Sequence, residues 1–335
     1  MASPIPDLAS VIARSAALLA ALSAACSPAP PAPPPSARPA AVASLPPPAP
    51  PAIEVAVTVD DLPVHGPAFT GIDRAAIAER LLAVFRDHRL PPVYGFVNGK
   101  KVDDDPASEA ILRRWIAAGN PLGNHTYSHI SLNRASITDY LADLEKGESI
   151  LRKLGLDEAT WKVYRYPFLF EGDTLDKRES VRAYLRQHGY LTAEVTIDGD
   201  DWAYNPPYAR CSDRHDTTSL AELRRGLVEA HVDELRFVRA LTRELSGRDV
   251  RHVLLLHIGA AGADAMDELL TAYEHEGVRW IDLRAALADP FYAIDPHIPH
   301  AYGAAFPYVV AKARGVTLPP HPKRDVEERA ESMCR

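Results

Sequence analysis

Ile53-Glu54-Val55-Ala56-Val57-Thr58-Val59 is an apolar run that ends abruptly in Asp60-Asp61. Valine and isoleucine dominate it and no glycine or proline interrupts it, so it reads as a buried strand whose closing acids mark where side chains leave the hydrophobic wall. Downstream, short apolar runs alternate with longer amphipathic ones, the pattern of parallel strands joined by helices. The pattern predicts a helix over Ile72 to Arg86, a strand over Val93 to Val97, and a helix over Ser108 to Ala118 with Gly119 as its stop. Ile137 to Leu154 and Leu175 to Gln187 read as helices, Lys162 to Tyr166 and Tyr190 to Val195 as strands. Ser219-Leu220-Ala221-Glu222 has the form of a capping box, and Leu220, Leu223, Leu227, Leu235, Val238, Leu241 and Leu245 follow at helical spacing, with Gly247 as the end. Val253 to Leu256 reads as a strand, Asp264 to Glu276 as a helix and Val278 to Leu283 as the last strand. About seven βα units result, which favours an α/β fold of distorted (β/α)7-type barrel over an open doubly wound sheet.

Working outward from this region, the chain has 335 residues, 47% hydrophobic and 24% charged, enough for one large domain or two small ones with appended segments. A formal net charge of -8 with no long Lys/Arg run excludes the basic footprint of a nucleic-acid binder. Val11 to Ala25 is Ala/Leu-rich and broken only by Arg14, Ser15 and Ser23, the shape of an export signal over residues 1–26. Its longest apolar part, Ala16 to Ala25 with only Ser23 inside it, is much shorter than the ~20 apolar residues a bilayer span needs. Leu22-Ser23-Ala24-Ala25-Cys26 resembles a bacterial lipoprotein signal, which implies membrane attachment through a lipidated Cys26 and a periplasmic or cell-envelope location. Ordinary cleavage after Ala25 is the alternative. Residues 27–51 are almost all Pro, Ala and Ser and read as an extended tether. The folded domain is expected over 52–290, and residues 291–335 read as an extension that wraps its surface. Cys211 and Cys334 are compatible with a disulfide and equally with two free thiols.

The polar residues at the predicted strand ends carry the chemistry. Asp60 and Asp61 repel each other unless a cation and an arginine compensate them. His125-Thr126-Tyr127-Ser128-His129 spaces two imidazoles four apart, so one helical turn would bring both to one ion, and two His plus a carboxylate leave coordination positions open, as a catalytic site needs. Arg165-Tyr166-Pro167-Phe168 follows a strand and offers an arginine that can fix a carboxylate through two parallel hydrogen bonds. Asp198-Gly199-Asp200-Asp201-Trp202 sets acids beside a large aromatic, and His257 ends the apolar strand Val253-Leu254-Leu255-Leu256, where a proton donor at a barrel mouth is expected. Each cluster alone is also found in ordinary turns and on ordinary surfaces; together they fall on one face of the expected barrel.

In this order the clusters resemble the motifs of the polysaccharide deacetylase family, the NodB-homology carbohydrate esterases. Thr58-Val59-Asp60-Asp61 resembles T-F-D-D, His125 to His129 H-[ST]-x-x-H, Arg165 to Phe168 R-x-P-[YF], Asp198 to Trp202 D-x-x-D-W, and Leu255-Leu256-His257 L-x-H. The resemblance runs from about Ile53 to Leu283. It implies that Asp61, His125 and His129 hold a divalent metal, zinc first, with cobalt or nickel as alternatives. It implies Asp60 as general base, Arg165 as its orienter, Asp201 as the support of Arg165, and His257 as general acid. The Phe168 N–H is implied as an oxyanion donor, and Trp202 and Leu255 as walls for the acetyl methyl. The substrate implied is an acetylated polysaccharide; a non-catalytic glycan binder and a deacylase of small amides are the competing readings. One departure stands out: the family usually has Gly after its second Asp, whereas this chain continues Leu62-Pro63-Val64-His65-Gly66, so the loop over the site is altered.

Overall fold

In the computed structural model, which describes residues 52–66, 73–318 and 324–335, the opening apolar run becomes the ten-residue strand β1 (Ile53–Leu62), fully buried except at Glu54. A strand without a polar face must be covered on both sides, and parallel neighbours backed by helices provide that cover. β1 pairs with β2 (Tyr94–Val97) on one edge, with β7 (His252–His257) on the other, and at its start with β8 (Val278–Trp280). Beyond β2 come β3 (Leu122–Asn124), β4 (Val163–Tyr164) and β5 (Leu191–Thr192); beyond β7 lies β6 (Ile197–Asp198). Every pairing is parallel. The α/β distorted-barrel expectation holds, with eight strands among the described residues in the order β5-β4-β3-β2-β1-β7-β6 and β8 on β1. The sheet ends at β5 and β6, so the barrel stays open along that seam.

The predicted helices fall where their periodicity placed them. The long one, Thr217–Ser246, buries Leu223, Leu227, Leu235, Val238, Leu241 and Leu245. Each buried Leu or Val stabilises by roughly 1.5–3 kcal/mol, so packing rather than propensity holds this helix. Its cap differs from expectation: Asp216, not Ser219, is the N-cap, accepting from the Ser219 N–H at 3.0 Å and the Ser219 hydroxyl at 2.8 Å. Asp216 out-competes Ser219 because its carboxylate has two acceptor oxygens for the helix-end donors. Gly247 ends the helix in the left-handed region, φ 73°. The helix Asn205–Asp213 begins with two prolines in its first turn and had no periodic signal.

The segment after Pro290 packs back against the preceding residues. Its helix Phe306–Ala313 packs on Thr217–Ser246, the Phe306 N–H donates to the Val195 carbonyl at 2.7 Å between β5 and β6, and Cys334 is disulfide-bonded to Cys211. The export signal, Cys26 and the tether over 27–51 lie outside the described residues. Among the described residues, no helix is long and apolar enough to cross a membrane.

Candidate metal and acid–base site

Side chains of a regular strand alternate between faces, so neighbours Asp60 and Asp61 should not serve one site. β1 resolves this with a register break against β2 between Val59 and Leu62, and Asp61 lies in the left-handed region at φ 69°. Such an irregularity re-aims a side chain, and both carboxylates turn to the same buried centre. Asp61 Oδ1 then lies 3.5 Å from His129 Nε2, 3.9 Å from His125 Nε2 and 3.1 Å from the Lys101 ammonium.

The two imidazoles converge, but not by the expected helical turn. Residues 125–129 form a loop after β3 in which Thr126 (φ 63°) and His129 (φ 58°) are left-handed, and the rings stand 4.9 Å apart. The loop is fixed from below: the Asn98 side-chain amide donates to the His125 carbonyl at 2.7 Å, and Asn124 Oδ1 accepts from the Thr126 N–H at 2.9 Å. Gly147 in the helix above is required for that approach, since a Cβ there would stand 2.6 Å from Asn124 Oδ1. His125 Nδ1 meets the Arg165 carbonyl at 2.8 Å. A carbonyl only accepts, so Nδ1 carries the hydrogen and Nε2 presents its lone pair. Burial holds His125 well below the usual imidazole range, with repulsion between the two imidazolium forms adding to it, and burial lowers His129 to about 4. Both rings are therefore neutral at physiological pH, the state in which an imidazole could offer Nε2 to a cation.

Arg165 crosses the barrel beneath Asp60. Its guanidinium reaches Asp60 Oδ1 and Oδ2 at 3.2 and 3.3 Å, Thr58 Oγ1 at 3.1 Å and the Ala193 carbonyl at 2.6 Å. Burial raises Asp60 to about 6 even though Arg165 and His257 pull it down. Asp61 behaves oppositely: burial raises it, but the Lys101 charge and the His65 hydrogen bond outweigh burial and hold it well below the carboxylate range.

The support expected for Arg165 from Asp201 is not found. Asp201 stands behind His257, accepting from its ring Nδ1 at 2.7 Å and from its backbone N–H at 2.8 Å. The reason is strand order: β6 neighbours β7, whereas β4, which leads to Arg165, is on the far side of the sheet. Burial lowers His257, but the Asp201 charge and hydrogen bond raise it to about 9. At neutral pH the pair is thus an ionised Asp60 and a protonated His257, the two states a base and an acid need.

A cavity of about 420 Å³ opens over these groups. It is lined by Asp60, Asp61, His129 and His257, with Phe168, Trp202 and Leu255 as apolar walls. Phe168 is left-handed (φ 59°), and its ring, like that of Trp202, is about half exposed. Gly303 of the C-terminal extension completes the rim; a Cβ there would stand 2.5 Å from the Phe168 carbonyl. Two residues that carried no motif also reach the site, Lys101 and His65, the second with Nδ1 2.6 Å from Asp61 Oδ2. The unusual Leu62 to Gly66 loop was the only sequence signal for His65.

The donor set fits a divalent ion. Ligand atoms of Asp61, His125 and His129 all lie within 4.8 Å of one another. Asp61 Oδ1 is buried, accepts no hydrogen bond and faces only the Lys101 ammonium and the two imidazoles, so a cation held by these three residues would compete with Lys101 for it.

Residues 48–193 match the family model for polysaccharide deacetylases. The chain resembles that family. It is 26% identical over 161 residues to a chitooligosaccharide deacetylase of Sinorhizobium fredii, covering 48% of this chain and 65% of the relative. It is also 26% identical over 149 residues to a peptidoglycan-N-acetylglucosamine deacetylase of Bacillus cereus, covering 44% of this chain and 46% of the relative. The match thus spans between about half and two thirds of these relatives' length. Among solved structures, the chitin deacetylase of Colletotrichum lindemuthianum is similar with a TM-score of 0.47 and 21% identity over 70% of this chain and 88% of that one.

Proposed function

We propose that this protein is an exported, zinc-dependent deacetylase of an envelope polysaccharide containing N-acetylglucosamine. The observation that carries the reading is one cleft with a neutral two-histidine, one-carboxylate donor set flanked by an ionised Asp60 and a protonated His257. Named relatives that deacetylate chitooligosaccharides and peptidoglycan support the substrate class.

Asp61, His125 and His129 would hold the ion, which when bound supplies Lewis-acid polarisation of the acetyl carbonyl. Asp60, fixed by Arg165, takes a proton from the attacking water. The Phe168 N–H donates to the oxyanion that develops on the carbonyl oxygen. His257, held by Asp201, gives its proton to the departing amine nitrogen as the C–N bond breaks, releasing acetate and a free amino sugar. Trp202 and Leu255 receive the acetyl methyl.

Acetate release from a panel of N- and O-acetylated glycans, run beside elemental analysis, tests the reading. One zinc per chain with release from N-acetylglucosamine polymers is expected; release from O-acetylated xylan alone, or full metal content in a His125→Ala, His129→Ala variant, would discard it. Retention at the membrane through Cys26 belongs to the same proposal, and unchanged partitioning of cleaved Cys26→Ser protein would count against it.

A further inference from the structure

Asp61 divides its two oxygens between different tasks. Oδ1 faces His125 and His129, whereas Oδ2 is taken by His65 Nδ1 at 2.6 Å. A carboxylate only accepts, so Nδ1 carries the hydrogen. His65 is itself held from three directions. Its backbone N–H donates to the Ile258 carbonyl at 3.1 Å, and Arg74 donates to the His65 and Gly66 carbonyls at 2.5 and 2.8 Å. Gly66, at φ +75°, lies against Asn205, where a Cβ would approach that side chain to 3.0 Å. The ring stands 4.9 Å from the His257 ring, on the wall of the cleft. These anchors fix the Leu62 to Gly66 loop with His65 against Asp61.

We propose that His65 is a positioning residue for the metal centre: by donating to Asp61 Oδ2 it locks the carboxylate so that Oδ1 is presented between the two imidazoles. This rests on the reading of Asp61, His125 and His129 as ligands. Asp61 sits in a left-handed backbone at a register break, so no regular strand neighbour fixes its side chain, and the His65 bond takes that place. Outer hydrogen bonds of this kind set the orientation and affinity of the ligands they touch, and their loss typically costs about ten- to a hundred-fold in metal affinity.

The test compares wild type, His65→Ala and His65→Asn, the last because an asparagine amide can donate from near the position of Nδ1. Metal-free protein is titrated with zinc against a chromogenic chelator, the visible spectrum of the cobalt form is recorded, and thermal unfolding of each metal-free variant is followed alongside. His65→Ala is expected to bind zinc about ten- to a hundred-fold more weakly, and His65→Asn to recover most of that loss with a wild-type cobalt spectrum. Wild-type affinity in His65→Ala would overturn the proposal while leaving the metal site standing. A His65→Asn as weak as His65→Ala, with an altered cobalt spectrum, would overturn it by making His65 a ligand. Failure of the wild type to bind any ion would instead bring down the metal reading and this proposal with it.

Discussion

Asp201 grips His257 at two points, Oδ1 on the ring Nδ1–H at 2.7 Å and Oδ2 on the backbone N–H at 2.8 Å. The double contact fixes the ring and keeps it charged. Asp201→Asn preserves the shape but removes the charge. The alkaline limb of kcat/KM, expected near 9 in the wild type, should then move down toward the ordinary imidazole value of about 6.5. A pH profile of both proteins measures this, and an unmoved limb would show that another group supplies the proton.

Asp60 titrates on the other side. With its carboxyl raised to about 6, activity should rise as pH climbs through that value and Asp60 ionises. Asp60→Asn should retain the metal and lose ~10²- to 10⁴-fold in turnover, the usual contribution of a positioned base. Single-turnover rates beside metal analysis separate the two effects; near-normal turnover would remove Asp60 from the chemistry.

Arg165→Met leaves Asp60 buried without its cation. Breaking a buried pair costs about 3–5 kcal/mol when the remaining partner must stay charged. The sign follows from the direction of the shift. Asp60 is already raised above its unfolded value by burial, and Arg165 lowers it, so its removal raises Asp60 further and stability falls more steeply as pH rises. Urea denaturation should therefore show a large loss at pH 8 and a much smaller one at pH 5, where Asp60 is neutral. An equal loss at both would point to lost packing on Phe96, whose ring lies 4.7 Å from the guanidinium.

His257→Ala should slow N-deacetylation far more than hydrolysis of an activated aryl acetate, because an amine leaves only when protonated and a phenolate leaves unaided. Both rates measured on the same variant isolate the acid's role. Equal losses with metal content intact would make His257 a residue that positions the substrate.

The fold was legible wherever a periodic pattern was long. The leucines from Leu223 to Leu245 and the apolar wall of β1 needed only local reading. The site residues were legible because strand ends collect them on one face. Three things were not, and each depends on neighbours that sequence spacing does not reveal. The partner of Asp201 is His257 rather than Arg165 because β6 lies beside β7, which local order does not reveal. The convergence of His125 and His129 was ascribed to helical spacing, whereas left-handed residues in a loop produce it. His65 was passed over because its partner faces it only after β1 loses its register.

The seam between β5 and β6 also orders events during biosynthesis. Val195 waits for Phe306, Phe168 for Gly303, and Cys211 for Cys334. A ribosome has therefore delivered Asp60, Asp61, His125, His129 and His257 well before it delivers the stretch that lies over the seam and finishes the cleft's rim. Until Gly303, Phe306 and Cys334 emerge, the nascent chain carries these side chains in an unfinished vessel, and assembly of the cleft's rim is a late event.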